Sequence, residues 1–213
     1  MQIILEVWVL LSIFILYWCN RERRRYLKER IGSKALMNIY AVGRNISFML
    51  MKKKLRVKGD MNSIERGGIL YSFHFGVWEL MPWALKKLGY NLGIIVNRYS
   101  DDKKNITAFF FDKFLYWFRS FGNVKIFYKE DTMKIVNFIK NGGLLGVLVD
   151  GNRFYSKFEK AQKLSHLCNV ALVPFAAYRK KGIGILEIGC DLDEVVEQRP
   201  FDYVWFYKSR EAR

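Results

Sequence analysis

The chain has 213 residues, which is enough for one domain with a sizeable core and a short additional segment. It has only 3 prolines and no low-complexity run, and its 3 cysteines lack C-x-x-C spacing, so neither a disordered linker, a disulfide framework nor a zinc site is indicated. With 36 Lys and Arg against 20 Asp and Glu, the net charge of +16 favours an anionic partner.

Residues 1–20 form the first predicted element, a membrane anchor. Residues 3–19 are apolar except Glu6 and Ser12, and such a helix is about 25 Å long, the short end of a bilayer span. The basic run 21–25 follows the apolar stretch instead of preceding it, so a cleaved signal peptide is not indicated. By the positive-inside rule, we expect everything after Asn20 in the cytosol. The alternative is a core helix or a helix lying in the bilayer interface.

Residues 21–54 form a predicted basic amphipathic segment, a helix or helix pair with a break near Gly32. Between residues 20 and 66 there are 14 Lys and Arg but only 4 acids. Next to an apolar segment, this charge predicts contact with anionic lipid headgroups. A solvated basic face is one alternative; nucleic acid is another, although no nucleic-acid-binding motif supports it.

Residues 55–213 alternate between strand and helix patterns, which predicts an α/β domain with a mixed, mostly parallel sheet flanked by helices. The predicted strands are 55–57, 69–73, 92–96, 124–127, 144–149, 171–178 and 183–188. The predicted helices are 79–88, 105–121, 131–140, with Asp131 as N-cap, and 157–168. In such sheets, functional side chains gather at the carboxyl ends of strands, and His74, Arg98 and Asp150 all follow predicted strands.

His74 and Glu79 are the predicted catalytic pair. His74 falls in a sharp loop after a strand, and Glu79 stands five residues later at the start of a helix. A carboxylate that orients the imidazole lets the outer ring nitrogen take a proton from a hydroxyl, and it stabilises the imidazolium that forms. A hydroxyl activated in this way attacks a thioester without an enzyme nucleophile. The alternative is a histidine that caps the strand end, with Glu79 facing the helix dipole.

Two further groups are candidates for substrate binding. The mostly aromatic helix 105–121 is either core or an apolar wall for an acyl chain or lipid, and its Arg119 suits either the helix C-terminus or a phosphate. Asp150 and Arg153 flank a glycine turn after a buried strand and form either a phosphate or cofactor grip or an ordinary turn.

These motifs together resemble the late acyltransferases of lipid A biosynthesis, within the lysophospholipid and glycerolipid acyltransferase superfamily. Residues 74–79, HFGVWE, stand where that family has H-x-G-N-W-E, with Val77 in place of the Asn. The approach at 55–59 and 67–71, Arg98 after the next strand, and the segments 117–119, 142–150, 172–175 and 203–207 are also similar to the family, in order along the chain.

The resemblance implies a transferase that moves a fatty acyl group from acyl carrier protein or coenzyme A to a hydroxyl of a lipid A-type phosphorylated glycolipid. It implies His74 as general base with Glu79 as its partner, and substrate-binding roles for Arg98, Arg119 and Asp150. Residues 149–153 are also similar to the phosphate grip of lysophosphatidate acyltransferases, which makes Arg153 a candidate.

The resemblance further implies a bacterial inner-membrane enzyme with its catalytic domain on the cytoplasmic side, no metal or bound cofactor, and anionic lipids as partners. One alternative is a lysophospholipid acyltransferase, or one acting on another glycolipid. A second is a non-catalytic peripheral membrane protein that binds lipid.

Overall fold

The computed structural model describes residues 34–51, 55–96, 113, 116, 119, 124–150 and 155–204. The predicted anchor 1–20, Arg98, Arg153 and most of the predicted aromatic helix lie outside these residues. In the part of the chain that the structure describes, no helix combines the length and the apolar character needed to cross a membrane.

Helices and strands alternate along most of the described chain, as the sequence predicts. The helices are α1 (Lys34–Leu50), α2 (Met81–Lys87), α3 (Thr132–Lys140), α4 (Phe158–Cys168) and α5 (Leu192–Gln198). The strands are β1 (Leu55–Gly59), β2 (Gly68–Ser72), β3 (Leu92–Val96), β4 (Lys125–Tyr128), β5 (Leu144–Leu148), β6 (Leu172–Lys180) and β7 (Ile183–Ile188). Short 3₁₀ turns cover Asn62–Ile64, Trp78–Leu80 and Pro200–Asp202.

The described strands form one seven-stranded mixed sheet in the order β1-β7-β6-β2-β5-β3-β4, which confirms the predicted α/β class. Strands β2 to β6 all run in the same direction, and β1 and β7 run in the opposite direction. The reversal at β7 follows from the two-residue turn Lys181 and Gly182, in which both residues have positive φ, at 50° and 78°. Such a turn joins neighbouring strands of a hairpin, so β6 and β7 must be antiparallel.

The core lies on both faces of this sheet because successive side chains of a buried strand point to opposite faces. On one face, Leu70 of β2 belongs to the same cluster as Phe48 of α1 and Leu85 of α2. On the other face, Ile69 of β2 clusters with Ile135 of α3. The near-continuous apolar runs of β2 and β5 are therefore those of strands covered on both sides, and the two strands are neighbours in the middle of the sheet.

Two helix starts differ from the sequence prediction. Asp131 does precede α3, but it does not cap it: its carboxylate accepts from the backbone N–H of Tyr128 at 3.0 Å and from Lys134. The predicted cap is therefore replaced by a turn that faces back toward β4. Helix α5 was not predicted, although Asp191 caps it by accepting from the N–H groups of Asp193 and Glu194. Because α5 is short, its hydrophobic periodicity is too weak to predict a helix.

Candidate active site

The loop that carries His74 is held tightly against the sheet. It begins directly after β2 and turns at Gly76, whose φ is +59°. A Cβ at this glycine would stand 2.1 Å from the carbonyl oxygen of Ala177 in β6, and the next residue, Val77, donates its N–H to that oxygen at 2.7 Å. Only glycine fits this approach, so the G of the 74–79 motif fixes the loop that presents His74.

Asp150 is the carboxylate that holds the imidazole. Strands β2 and β5 are parallel neighbours with Ser72 opposite Leu148, and His74 and Asp150 each lie two residues beyond that pair. Asp150 Oδ1 stands 2.8 Å from His74 Nδ1, and Asp150 Oδ2 accepts the backbone N–H of His74 at 3.1 Å. The two side chains therefore meet because the sheet register brings the two strand ends together.

This contact gives the imidazole a defined orientation. The Asp150 side chain is completely buried, while 25% of the His74 side chain is exposed. Because a carboxylate can only accept, His74 Nδ1 carries the proton in this contact and the lone pair lies on Nε2. The ring of Trp78 packs edge-on against the imidazole, with centroids 5.4 Å apart. A histidine held in this way has the arrangement of a general base.

Glu79 has a different partner from the one predicted. Its carboxylate forms a two-pronged ion pair with Arg119, in which Arg119 Nε donates to Oε2 at 2.9 Å and Nη2 contacts Oε1. The prediction that Glu79 orients His74 is therefore wrong in this structure. The physical reason is that Asp150 already occupies the Nδ1 side of the ring, while the 3₁₀ turn Trp78–Leu80 carries Glu79 toward Arg119.

A cavity of about 550 Å³ opens beside His74, over the ends of β3 and β5 and between α3 and α4. Its volume lies within the usual range of ligand pockets. Much of its wall is aliphatic, from Ile95, Ile135, Val147, Leu164 and Leu167. Arg119 lines it, together with the lysines at 129, 157, 160 and 163. His74 thus faces a mainly apolar space that also carries several cations.

Four of the six residues proposed from the sequence fall in this region. His74 and Arg119 line the cavity, Asp150 holds His74, and Glu79 holds Arg119. The sequence predicts no role for the cavity lysines or for Tyr203, whose hydroxyl donates to Asp150 Oδ2 at 3.1 Å. The lysines at 160 and 163 share one face of α4 through their i,i+3 spacing, which was a readable signal.

Neither the protein-family models nor the curated proteins compared with this chain gave a match. Function is therefore inferred from the geometry of the site and from the motif resemblance.

Proposed function

We propose that this chain is a membrane-anchored O-acyltransferase that moves a fatty acyl group from a carrier-protein or coenzyme A thioester to a hydroxyl of a lipid A-type phosphorylated glycolipid. The observation that carries the proposal is the His74 imidazole, bound through Nδ1 to buried Asp150 and lining a largely aliphatic cavity. The motif at 74–79 supports the same class of reaction.

The reaction requires a base, and His74 is the side chain suited to that role. The acceptor hydroxyl gives its proton to His74 Nε2 as its oxygen attacks the carbonyl carbon of the thioester. Asp150 stabilises the imidazolium that forms, as the acid of a catalytic triad does. The tetrahedral intermediate then collapses, the carbon–sulfur bond breaks, and the proton passes from His74 to the departing thiolate. In this scheme the enzyme forms no covalent bond to the acyl group.

The walls of the cavity are suited to both halves of such a substrate. The aliphatic side chains around Ile135 and Leu164 provide a surface for a fatty acyl chain. The lysines at 129, 157, 160 and 163 provide positive charge for phosphate groups, which both the thioester donor and the glycolipid acceptor carry. Arg119, although paired with Glu79, also faces this space.

The cellular location belongs to the same proposal. The apolar residues 1–20 would anchor the chain in the inner membrane, and the basic segment 21–54 would meet anionic headgroups on the cytoplasmic side. Phosphorylated glycolipid acceptors are held in such a membrane, so an anchored domain would meet them at its surface.

The test is transfer of a labelled acyl group by the full chain in detergent. Acyl carrier protein and coenzyme A thioesters are each offered with a lipid A precursor or with lysophosphatidate. We expect product on the glycolipid, and its loss in His74→Ala. The chain contains only 2 histidines, and the other, His166, is exposed on α4. His166→Ala is therefore the matched control, and it should retain activity.

The outcomes separate the alternatives. Product on lysophosphatidate alone would keep the chemistry and replace the glycolipid with a phospholipid acceptor. Lipid binding without His74-dependent product on either acceptor would contradict the enzymatic proposal and favour the non-catalytic alternative. Equal activity in wild type and His74→Ala would contradict the mechanism.

A further inference from the structure

The segment from Pro200 to Val204 lies directly against the His74 loop. Gly76 donates its N–H to the carbonyl oxygen of Asp202 at 2.9 Å, and Val204 donates its N–H to the carbonyl oxygen of His74 at 2.9 Å. Phe75 and Tyr203 form an antiparallel bridge between these two contacts. A short ribbon of backbone hydrogen bonds therefore ties this segment to the backbone of the candidate base.

Tyr203 extends from this ribbon to the buried carboxylate. Only 1% of the residue is exposed, and its ring meets that of Phe73 edge-on at 6.0 Å. Its hydroxyl donates to Asp150 Oδ2 at 3.1 Å, the same oxygen that accepts the backbone N–H of His74. Oδ2 thus accepts from two donors, and Oδ1 accepts the hydrogen bond from His74 Nδ1.

Helix α1 fixes the same segment from the other side. The side-chain amide of Asn38 donates to the carbonyl oxygens of Phe201 and Tyr203 at 2.8 and 2.9 Å. The amide of Asn45 donates to Asp202 Oδ1 at 2.9 Å. Both asparagines are buried, with 4% and 2% exposed. Buried amides with satisfied hydrogen bonds hold one defined arrangement, so the position of Tyr203 is set by contacts from two directions.

We propose that Tyr203 is a positioning residue, whose hydroxyl holds the Asp150 carboxylate in the orientation that receives the Nδ1 proton of His74. Its effect on turnover depends on the proposed function, whereas its effect on the hydrogen bond between His74 and Asp150 does not. The hydroxyl acts through Asp150 and requires no contact with substrate.

The test uses Tyr203→Phe, which removes one oxygen and keeps the buried ring. Tyr178→Phe is the matched control, because Tyr178 is also buried and its hydroxyl donates to a different carboxylate, Glu187, at 2.6 Å. Proton–nitrogen NMR of the imidazoles reports the hydrogen bond directly, and His166→Gln assigns the signals because the chain has only 2 histidines. The full chain in detergent is used throughout.

We expect the His74 Nδ1 proton signal to move in Tyr203→Phe and to stay in place in Tyr178→Phe. We also expect kcat for acyl transfer to fall roughly ten-fold in Tyr203→Phe, with KM unchanged. A change of this size corresponds to the loss of one hydrogen bond to a charged group. A smaller folded fraction would also lower the apparent kcat at constant KM, so turnover is normalised to the folded fraction of each variant. The Nδ1 signal reports folded protein only and therefore separates a positioning role from a loss of stability.

An unmoved Nδ1 signal in Tyr203→Phe would overturn the proposal, as would an equal movement in Tyr178→Phe. A moved signal in a protein that transfers no acyl group would support the positioning role and contradict the proposed function. The two hypotheses can therefore fail separately.

Discussion

Replacing Asp150 with asparagine is the sharpest test of the site, because the structure and the motif spacing predict different results. Three donors converge on the Asp150 carboxylate: Nδ1 of His74 on Oδ1, and both the backbone N–H of His74 and the hydroxyl of Tyr203 on Oδ2. Asparagine keeps the shape of the side chain but has a single oxygen that accepts.

The amide of Asp150→Asn will turn its oxygen toward the position with two donors. Its NH₂ group then faces His74 Nδ1, which must become the acceptor, and the ring proton moves to Nε2. A base that already holds a proton on its reactive nitrogen cannot take another from a hydroxyl. The same change in a serine-protease triad lowers kcat by about 10⁴ through the wrong tautomer, so we expect a loss of roughly 10³- to 10⁴-fold here, or about 4–5.5 kcal/mol in the barrier.

The measurement is turnover of a labelled acyl thioester with the acceptor that the wild type uses, for Asp150→Asn and for Glu79→Gln. A dyad of His74 with Glu79 predicts that Glu79→Gln is the damaging change, whereas the structure predicts that Asp150→Asn is. Unfolding midpoints of both variants control for misfolding. Loss of a single hydrogen bond to a charged group already lowers turnover roughly ten-fold. If Asp150→Asn retained more than about a tenth of wild-type turnover, the explanation by a changed tautomer would therefore be refuted.

Three other variants test the surroundings of the site. Arg119→Ala leaves the mostly buried Glu79 carboxylate without its ion pair, so the free energy of unfolding measured in urea should fall by about 3 kcal/mol. The double variant Arg119→Ala with Glu79→Ala should regain part of that loss, and strictly additive effects of the two substitutions would contradict the coupling. Burial raises the pKa of Asp202 above its ordinary 3.8, so its contribution to stability is present below pH 3.8 and is lost as the pH rises through the raised pKa. As the pH rises from 3.8 through the raised pKa, the melting temperature of wild type minus that of Asp202→Asn should fall. A constant difference would contradict a raised pKa of Asp202. Gly76→Ala combines a positive φ with a Cβ 2.1 Å from a backbone oxygen, whereas Gly182→Ala has a positive φ in open space. The urea midpoint of Gly76→Ala should therefore lie well below that of Gly182→Ala, and equal midpoints would refute the close approach.

The strands and most of the described helices were predictable because they follow from local patterns. The strands at 92–96 and 183–188 match the predicted bounds, and the others differ by a residue or two at their ends. The reversed direction of β7 was also readable in principle, since Gly182 lies in a two-residue turn. What no local pattern supplied was the order of the strands, which places β2 between β5 and β6.

The partner of His74 was predicted wrongly because a spacing of five residues is a local signal and the true contact is not local. His74 and Asp150 are separated by 76 positions, and they meet only because β2 and β5 pair in register. The sequence did place both residues directly after predicted strands. Pairing those two strands would have favoured Asp150 over Glu79. Tyr203 gave no such signal, because its approach depends on contacts of the C-terminal segment with α1 and with the His74 loop.

Under the proposed function, the residues assigned to the chemistry and those assigned to substrate binding lie on different elements of the fold. His74 and Asp150 directly follow β2 and β5, which lie in the centre of a sheet covered on both faces. Part of the cavity wall comes from α4, on which the lysines at 160 and 163 are exposed. Substitutions on α4 therefore alter charge around the substrate without moving His74, so they should act mainly on KM, while substitutions at the strand ends should act mainly on kcat. Under the proposed function, substitutions on α4 would change the preference for acyl donor or acceptor and leave the contact between His74 and Asp150 in place.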